Sequence, residues 1–457
     1  MKLSSKHLVL AILLIASSNL VHSQFSIKVN VEAMRTSRAY LLEYIGTTPE
    51  IIDSTTTKIP GQIEFILPSN AHTGMYRLVI GPKQFLDFVF NQENVELETN
   101  YNAPRDSLKV ISSIENTLWS DYINFFSLLN RKQDNISRLL AVYETTDPFY
   151  AELEIELTRI QQIDPESLTR KIIADHPNSY VARFLKAELS SEVPTGLSYT
   201  EELEYLHEHF FDNIDFNDSD LIYSPPLMAK VQSFFGLCQQ AYTPKEVEAK
   251  MIEGVNRLLS LAAVNDEIYK FIVDQIYTIF ERSEFETFFA YFTETFMLDG
   301  SCKDEERSHE LEEVLAAIKK TEIGSHAPPL TISLADGQVV LSELNKPVVL
   351  VLFWASWCPH CAEMLPEIKK LYNAYKSSGF EIIAISIDKD KAEYEKALAQ
   401  GAFPWINYSE LKGWDCSIVH DFGIRATPTM IVVDKDNRIV AKPRNIEMLR
   451  DLLNELF

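Results

Sequence analysis

The sequence predicts a multidomain chain: an N-terminal antiparallel β-sandwich-like domain, an α-helical middle domain and a C-terminal α/β domain of alternating strands and helices. Three observations carry this reading. From Gln24 to about Leu108, apolar and polar residues alternate with period two, as in Phe25-Ser26-Ile27-Lys28-Val29-Asn30-Val31. From roughly Ile114 to Lys320 the apolar spacing turns helical, and after Gly324-Ser325-His326-Ala327-Pro328-Pro329 strands and helices alternate. A chain of 457 residues with 46% hydrophobic content is long for one domain and carries side chains enough for two or three cores. The expected limits are 1–23 for an export signal, 24–110 for the β-rich domain, 111–321 for the helical domain and 322–457 for the α/β domain.

The opening residues read as a signal peptide. Lys2 and Lys6 give a positive start, Leu8 to Ala16 an apolar run, and Val21-His22-Ser23 a small-residue exit, with cleavage expected after Ser23. A retained signal anchor is the alternative, although the run is shorter than the ~20 residues of a membrane span. No cysteine follows it to take a lipid, and no later segment reads as a span. The formal charge of −24, from 66 acidic and 42 basic residues, repels phosphate backbones and anionic lipid, so nucleic acid is not expected as a partner. The five cysteines, Cys238, Cys302, Cys358, Cys361 and Cys416, contain one close pair. An odd count does not suit a disulfide-stapled framework, and the three single thiols read as buried side chains.

Within the β-rich region, Pro60-Gly61, Asn70 to Gly74, Gly81-Pro82 and Asn91 punctuate short runs at sandwich or barrel spacing. In the helical region, breaks fall at Asp147-Pro148, Asp164-Pro165, His176-Pro177, Val193-Pro194 and Pro225-Pro226, and Thr243-Pro244-Lys245-Glu246 has the composition of a helix start. The aromatics Phe280, Phe285, Phe288, Phe289, Tyr291, Phe292 and Phe296 read as core rather than as a pocket. His207-Glu208-His209 is expected on a solvated helix surface, because residues two apart face different sides and no further ligand cluster is near. Lys303 to Glu313 reads as an exposed helix face.

In the C-terminal region, Leu330 to Leu334 and Val339 to Leu341 form an expected hairpin about Asp336-Gly337. Val348 to Trp354 is an almost continuous apolar run, as a central strand covered on both faces requires. It delivers the chain to Cys358-Pro359-His360-Cys361, where a helix begins. A second buried strand is expected over Glu381 to Ile387, helices over Lys391 to Gln400 and Ile446 to Leu456, and a hairpin of Thr429 to Val433 with Arg438 to Ala441.

Exposed amides at a helix start favour a thiolate, so Cys358 is the expected nucleophile. Cys361, one turn later, is the expected resolving cysteine. Pro359 suits the first turn, and His360 adds positive charge beside the sulfur, so Trp357, Pro359 and His360 are the expected tuning residues. Structural zinc uses the same spacing but needs further Cys or His ligands in a comparable knuckle, and Ala362 after Cys361 excludes the CxxCH pattern of haem attachment. No metal or cofactor is therefore expected beyond a redox-active Cys358–Cys361 disulfide.

The segment Phe353-Trp354-Ala355-Ser356-Trp357-Cys358-Pro359-His360-Cys361 resembles the thioredoxin superfamily, in its exported bacterial TlpA/ResA-type branch. Phe422-Gly423-Ile424-Arg425-Ala426-Thr427-Pro428-Thr429 is similar to the family's cis-proline loop. The resemblance covers about Ile323 to Phe457. It implies a thioredoxin-like fold in which Pro428 faces the cysteine pair and the backbone of Thr427 pairs with an extended substrate. Two departures stand out: Leu352 occupies the place of a buried Asp in thioredoxins, and Met364 the place of a Glu common in the exported branch, with Glu363 about 100° away on a helix. Proton handling by His360, water or another acid stays open, and Pro366 is expected to kink its helix rather than end it.

The expected function is that of a periplasmic thiol–disulfide oxidoreductase acting on disulfide-bearing exported proteins, more as a reductant, with an unidentified thiol donor or acceptor as electron partner. The alternatives are a disulfide oxidase or isomerase, which the Pro-His dipeptide favours, a peroxidase sharing the fold, and a binding protein with an accessory redox domain.

Overall fold

The computed structural model describes residues 24–35, 38–164, 166–244, 246–298, 305–334 and 337–457. The expected export signal, Pro165, Lys245 of the helix start, Cys302, Lys303 of the charged stretch and Asp336 of the hairpin lie outside the described residues. The chain forms two compact units, one reaching Thr243 and adding Gly254–Phe271, the other made of Pro244–Glu253 and Ile272–Phe457.

In the first unit, β1 (Gln24–Glu32), β2 (Arg38–Ile45), β3 (Thr48–Thr56), β4 (Gln62–Pro68), β5 (Gly74–Val79), β6 (Phe85–Phe90), β7 (Val95–Asn100) and β8 (Lys109–Ser112) build two four-stranded sheets. Their orders are β4-β1-β7-β8 and β3-β2-β5-β6. Alternation decides the faces: in β4, Ile63, Phe65 and Leu67 are buried, while Gln62, Glu64 and Ile66 are exposed. Both sheets send side chains, among them Ile27, Phe65, Leu97, Leu41, Leu78 and Phe88, into one shared core. The pairing is antiparallel except between β1 and β7, which run parallel. A parallel pair needs a long connection, and the intervening β2 to β6 supply it.

The helices that follow are α1 (Ile114–Leu140), α2 (Pro148–Gln161), α3 (Ser167–Asp175), α4 (Tyr180–Glu188), α5 (Tyr199–His209) and α6 (Pro226–Ala241). Hydrogen bonds tie them to the sandwich. Asn116 Oδ1 accepts from Val89 N (2.8 Å) and its Nδ2 donates to Val89 O (2.7 Å), so a side chain completes the backbone pairing of β6. The buried Glu115 carboxylate accepts from Tyr180 N and Val181 N (2.9 Å each) and from Asn91 Nδ2 (2.6 Å), placing an anion on the first amides of α4. Asp147 caps α2 with Pro148 in its first turn, and α5 opens with a Ser198/Glu201 capping box. His207 departs from expectation. It is 7% exposed, with its ring 5.1 Å from that of Phe234, whereas His209 pairs with Asp212 (2.6 Å) at the surface. Two residues along a helix turn the side chain by about 200°, so one of the pair points inward.

The unit boundary crosses α7 (Val247–Ala262) and α8 (Asp266–Phe280). The second unit continues with α9 (Glu286–Phe292), a π-helical turn over Thr293–Met297, and α10 (Glu305–Lys320). Phe280, Phe285, Phe288, Phe289 and Phe292 are buried, as core aromatics should be, and Tyr291 is half-buried.

β9 (Thr331–Leu334) and β10 (Gly337–Val340) form a hairpin ahead of a five-stranded sheet, order β13-β12-β11-β14-β15. Its strands are β11 (Val348–Trp354), β12 (Phe380–Ser386), β13 (Ile406–Ser409), β14 (Thr429–Asp434) and β15 (Ile439–Ala441). Central β11 pairs parallel with β12 and antiparallel with β14, and all seven of its residues are buried. Helices α11 (Pro359–Tyr375), α12 (Lys391–Gly401), α13 (Ser417–Asp421) and α14 (Ile446–Leu456) complete the domain. Pro366 lies inside α11 without ending it. Cys416 sits at the N-cap of α13, with its thiol buried.

Candidate active site

The site begins where β11 ends. Trp354 is 1% exposed and anchors the strand, after which Ala355 to Trp357 form a loop and Cys358 becomes the N-cap of α11. Asp388, two residues beyond β12, holds that loop. Its buried carboxylate accepts from Ser356 N (3.0 Å), Ser356 Oγ (2.6 Å) and Ser386 Oγ (2.6 Å). Sequence reasoning passed over Asp388. A carboxylate two residues after a largely buried strand was the available signal, because burial there demands donors.

At the helix start the Cys361 amide donates to Cys358 Sγ (3.3 Å), the geometry of an N-cap with sulfur in place of oxygen. Pro359 fills the first helical position, where it has no N–H to leave unpaired. Cys358 is 5% exposed and Cys361 1%, while Trp357, at 58%, and Pro359 and His360 form an open rim around the first sulfur. Burial, reinforced by the contact with Cys358, pushes the Cys361 thiol up to about 12, so the inner cysteine keeps its proton. Both sulfurs are free thiols.

Opposite them, the Thr427–Pro428 bond is cis, and Thr427 O lies 3.4 Å from Cys358 Sγ. The structure thus brings Cys358, Cys361, Thr427 and Pro428 together from α11 and the loop before β14. Phe422 packs its ring 5.5 Å from that of Phe353, and Gly423, at φ +61°, passes so close to α10 that an added Cβ would meet Ala317 Cβ at 3.0 Å. Arg425 ties the loop to the helical wall: Nη1 donates to Glu281 O (3.2 Å) and Phe280 O (3.4 Å), and the guanidinium lies 4.1 Å from the centroid of Phe289. No sequence signal marks it, since its partners are carbonyls more than a hundred residues away.

Leu352 is fully buried in β11, Met364 packs against the core, and Glu363 is exposed. Among the described residues, no group of three His, Cys, Asp or Glu side chains is arranged for a metal, and no helix is long and apolar enough to cross a membrane.

Known families match this region and part of the helical one before it. A family described as thioredoxin-like matches residues 345–439, and a domain of unknown function matches 162–279. A thiol-disulfide oxidoreductase ResA from Bacillus thuringiensis subsp. konkukian is 27% identical over 138 residues, 30% of this chain and 78% of that protein. A probable nucleoredoxin 3 from Oryza sativa subsp. japonica is 30% identical over 111 residues, 23% of each chain. Among solved structures, the thioredoxin domain of a thiol-disulfide oxidoreductase from Bacteroides vulgatus is 30% identical, covering 29% of this chain and 96% of that one, with a TM-score of 0.28. Through its C-terminal domain, the chain belongs to the thioredoxin superfamily, in the TlpA/ResA-type branch of thiol–disulfide oxidoreductases.

Proposed function

We propose that the chain is an exported, periplasmic oxidoreductase that reduces disulfides in other exported proteins, with Cys358 as nucleophile and Cys361 as resolving thiol. The observation that carries this is the position of Cys358 Sγ, between the Cys361 amide at 3.3 Å and the Thr427 carbonyl at 3.4 Å. The helix-start amide favours charge on the sulfur as it attacks, and the backbone of Thr427 beside Pro428 is the segment against which an extended client would pair.

The chemistry balances as dithiol exchange. Cys358 thiolate attacks one sulfur of the client disulfide, forming a mixed disulfide and releasing the client's other sulfur, which takes up a proton. Cys361 then loses its proton and attacks Cys358 Sγ, freeing the second client thiol and leaving a Cys358–Cys361 disulfide. Two electrons pass from protein to client; Cys361 releases one of the two protons the client thiols take up, water supplies the one lost earlier when Cys358 ionised, and an external thiol donor restores the dithiol.

One feature supports the reducing direction: burial holds the proton on Cys361, so the inner thiol adds no thiolate stabilisation to the reduced form. Equilibration with glutathione tests this: a potential near about −270 mV supports a reductant, and one near about −120 mV refutes it. Insulin reduction by the wild type that is lost in Cys358→Ser, with clients trapped on Cys361→Ala, tests the roles. Equal activity of Cys358→Ser and wild type refutes the assignment.

A further inference from the structure

Beside the cis-proline loop runs a groove with about 630 Å³ of space, walled wholly by the second unit. Ala426, Pro428 and Thr429 form one side, and Glu284, Thr287 and Tyr291 of the helical segment form the other. Arg425 bonds to the Phe280 and Glu281 carbonyls and so fixes the loop and the helical wall to each other. The groove is therefore a continuation of the backbone that faces Cys358.

Most charges along it are paired. Arg444 meets Glu248 (3.3 Å), Lys442 meets Glu286 (2.5 Å), Lys319 meets Glu294 (2.6 Å), and Glu322 lies in the field of Lys319. Glu284 is different. It has no hydrogen-bond or ion-pair partner among the described residues, and it lies in the field of His360 of the cysteine motif. Glu284 is exposed at the groove's edge, yet the protein around it displaces enough water to raise its carboxyl above the usual range against the opposing charge of Arg444. A carboxylate without a partner, in the groove that Pro428 also lines, is stabilised by an incoming cation.

We infer that this groove seats the client polypeptide, and that Glu284 selects clients carrying a Lys or Arg close to the reacting cysteine. The inference rests on the oxidoreductase reading and adds to it a substrate class and a specificity-determining residue. The helical wall contributes that residue, so the preference is one that the α/β domain lacks alone.

The test uses the prereduced full chain in single turnover with synthetic peptides. Each carries one cysteine as a mixed disulfide with a chromogenic arylthiol, and Lys or Glu is placed in turn at the two positions on either side. Cys358 displaces the arylthiolate, Cys361 then releases the peptide thiol, and the protein's two electrons account for both products. Because the net charge of −24 favours cationic peptides everywhere, the readout is the change in the Lys-to-Glu rate ratio against a charge-matched control, Glu455→Gln on the terminal helix. At one peptide position Glu284→Gln should lower that ratio by about three- to tenfold, and Glu284→Lys should lower it further. Salt should narrow the wild-type ratio. Equal ratios in Glu284→Gln and Glu455→Gln overturn the inference and leave the oxidoreductase reading intact. Failure of the wild type to reduce any peptide overturns that reading, and the inference with it.

Discussion

Replacing Asp388 should loosen the active-site loop, and the size of the effect follows from its bonds. Its carboxylate accepts from one backbone amide and two hydroxyls, at 3.0, 2.6 and 2.6 Å. Hydrogen bonds to a charged group contribute about 1.5–3 kcal/mol each, but removing the carboxylate also removes the cost of burying it, so Asp388→Ala should lose about 2–4 kcal/mol. Asp388→Asn keeps one oxygen for Ser356 and offers its amide to Ser386 Oγ, and should lose about 1–2 kcal/mol. Urea unfolding followed by tryptophan fluorescence reads this well, because Trp354, Trp357, Trp405 and Trp414 all lie in the C-terminal domain and Trp119 alone lies elsewhere. Alkylation by iodoacetamide should also quicken at Cys361, which is 1% exposed in the intact domain. An Asp388→Ala protein within about 0.5 kcal/mol of wild type, with unchanged Cys361 alkylation, would refute the anchoring role.

Three further outcomes are expected. The reduced protein should lose stability as pH rises above about 9, because Cys361 keeps its proton when folded and releases it nearer 9.0 when unfolded. The loss should approach about 4 kcal/mol by pH 12 and vanish in Cys361→Ala; an identical pH profile in that variant refutes the burial argument. Arg425→Ala should slow insulin reduction by about tenfold through a higher KM at similar kcat, without rescue by Arg425→Lys, because the planar guanidinium serves both Glu281 O and the Phe289 face. Full activity in steady-state assays of Arg425→Lys would contradict that. Glu115→Gln leaves one oxygen for three donors and should destabilise the first unit by about 1–3 kcal/mol in urea melts while insulin reduction persists. No shift in its melt would mean that the helix-start anion contributes nothing.

Local chemistry made much of the C-terminal domain legible. A run such as Val348 to Trp354 has no stable place except a strand covered on both faces, and it ended where a cysteine and a proline could begin a helix. Short, half-buried β13 escaped notice because its four residues, Ile406 to Ser409, show no period long enough to read. In the sandwich, alternation marked β1 and β4 but could not reveal that β1 runs parallel to β7, since pairing direction depends on how the intervening chain returns.

The sequence by itself determined the cysteine pair, its place at a helix start and the proline loop expected to face it, because each depends on residues adjacent in the chain. Only the tertiary structure decided which groups surround them. Asp388 became an anchor, Arg425 a tie to the Phe280 and Glu281 carbonyls, and Glu284 an unpartnered acid in the groove beside the proline loop. The physical reason is that desolvation and hydrogen bonding depend on neighbours brought from far along the chain, and a buried polar side chain is given its role by whichever donors and acceptors folding sets against it.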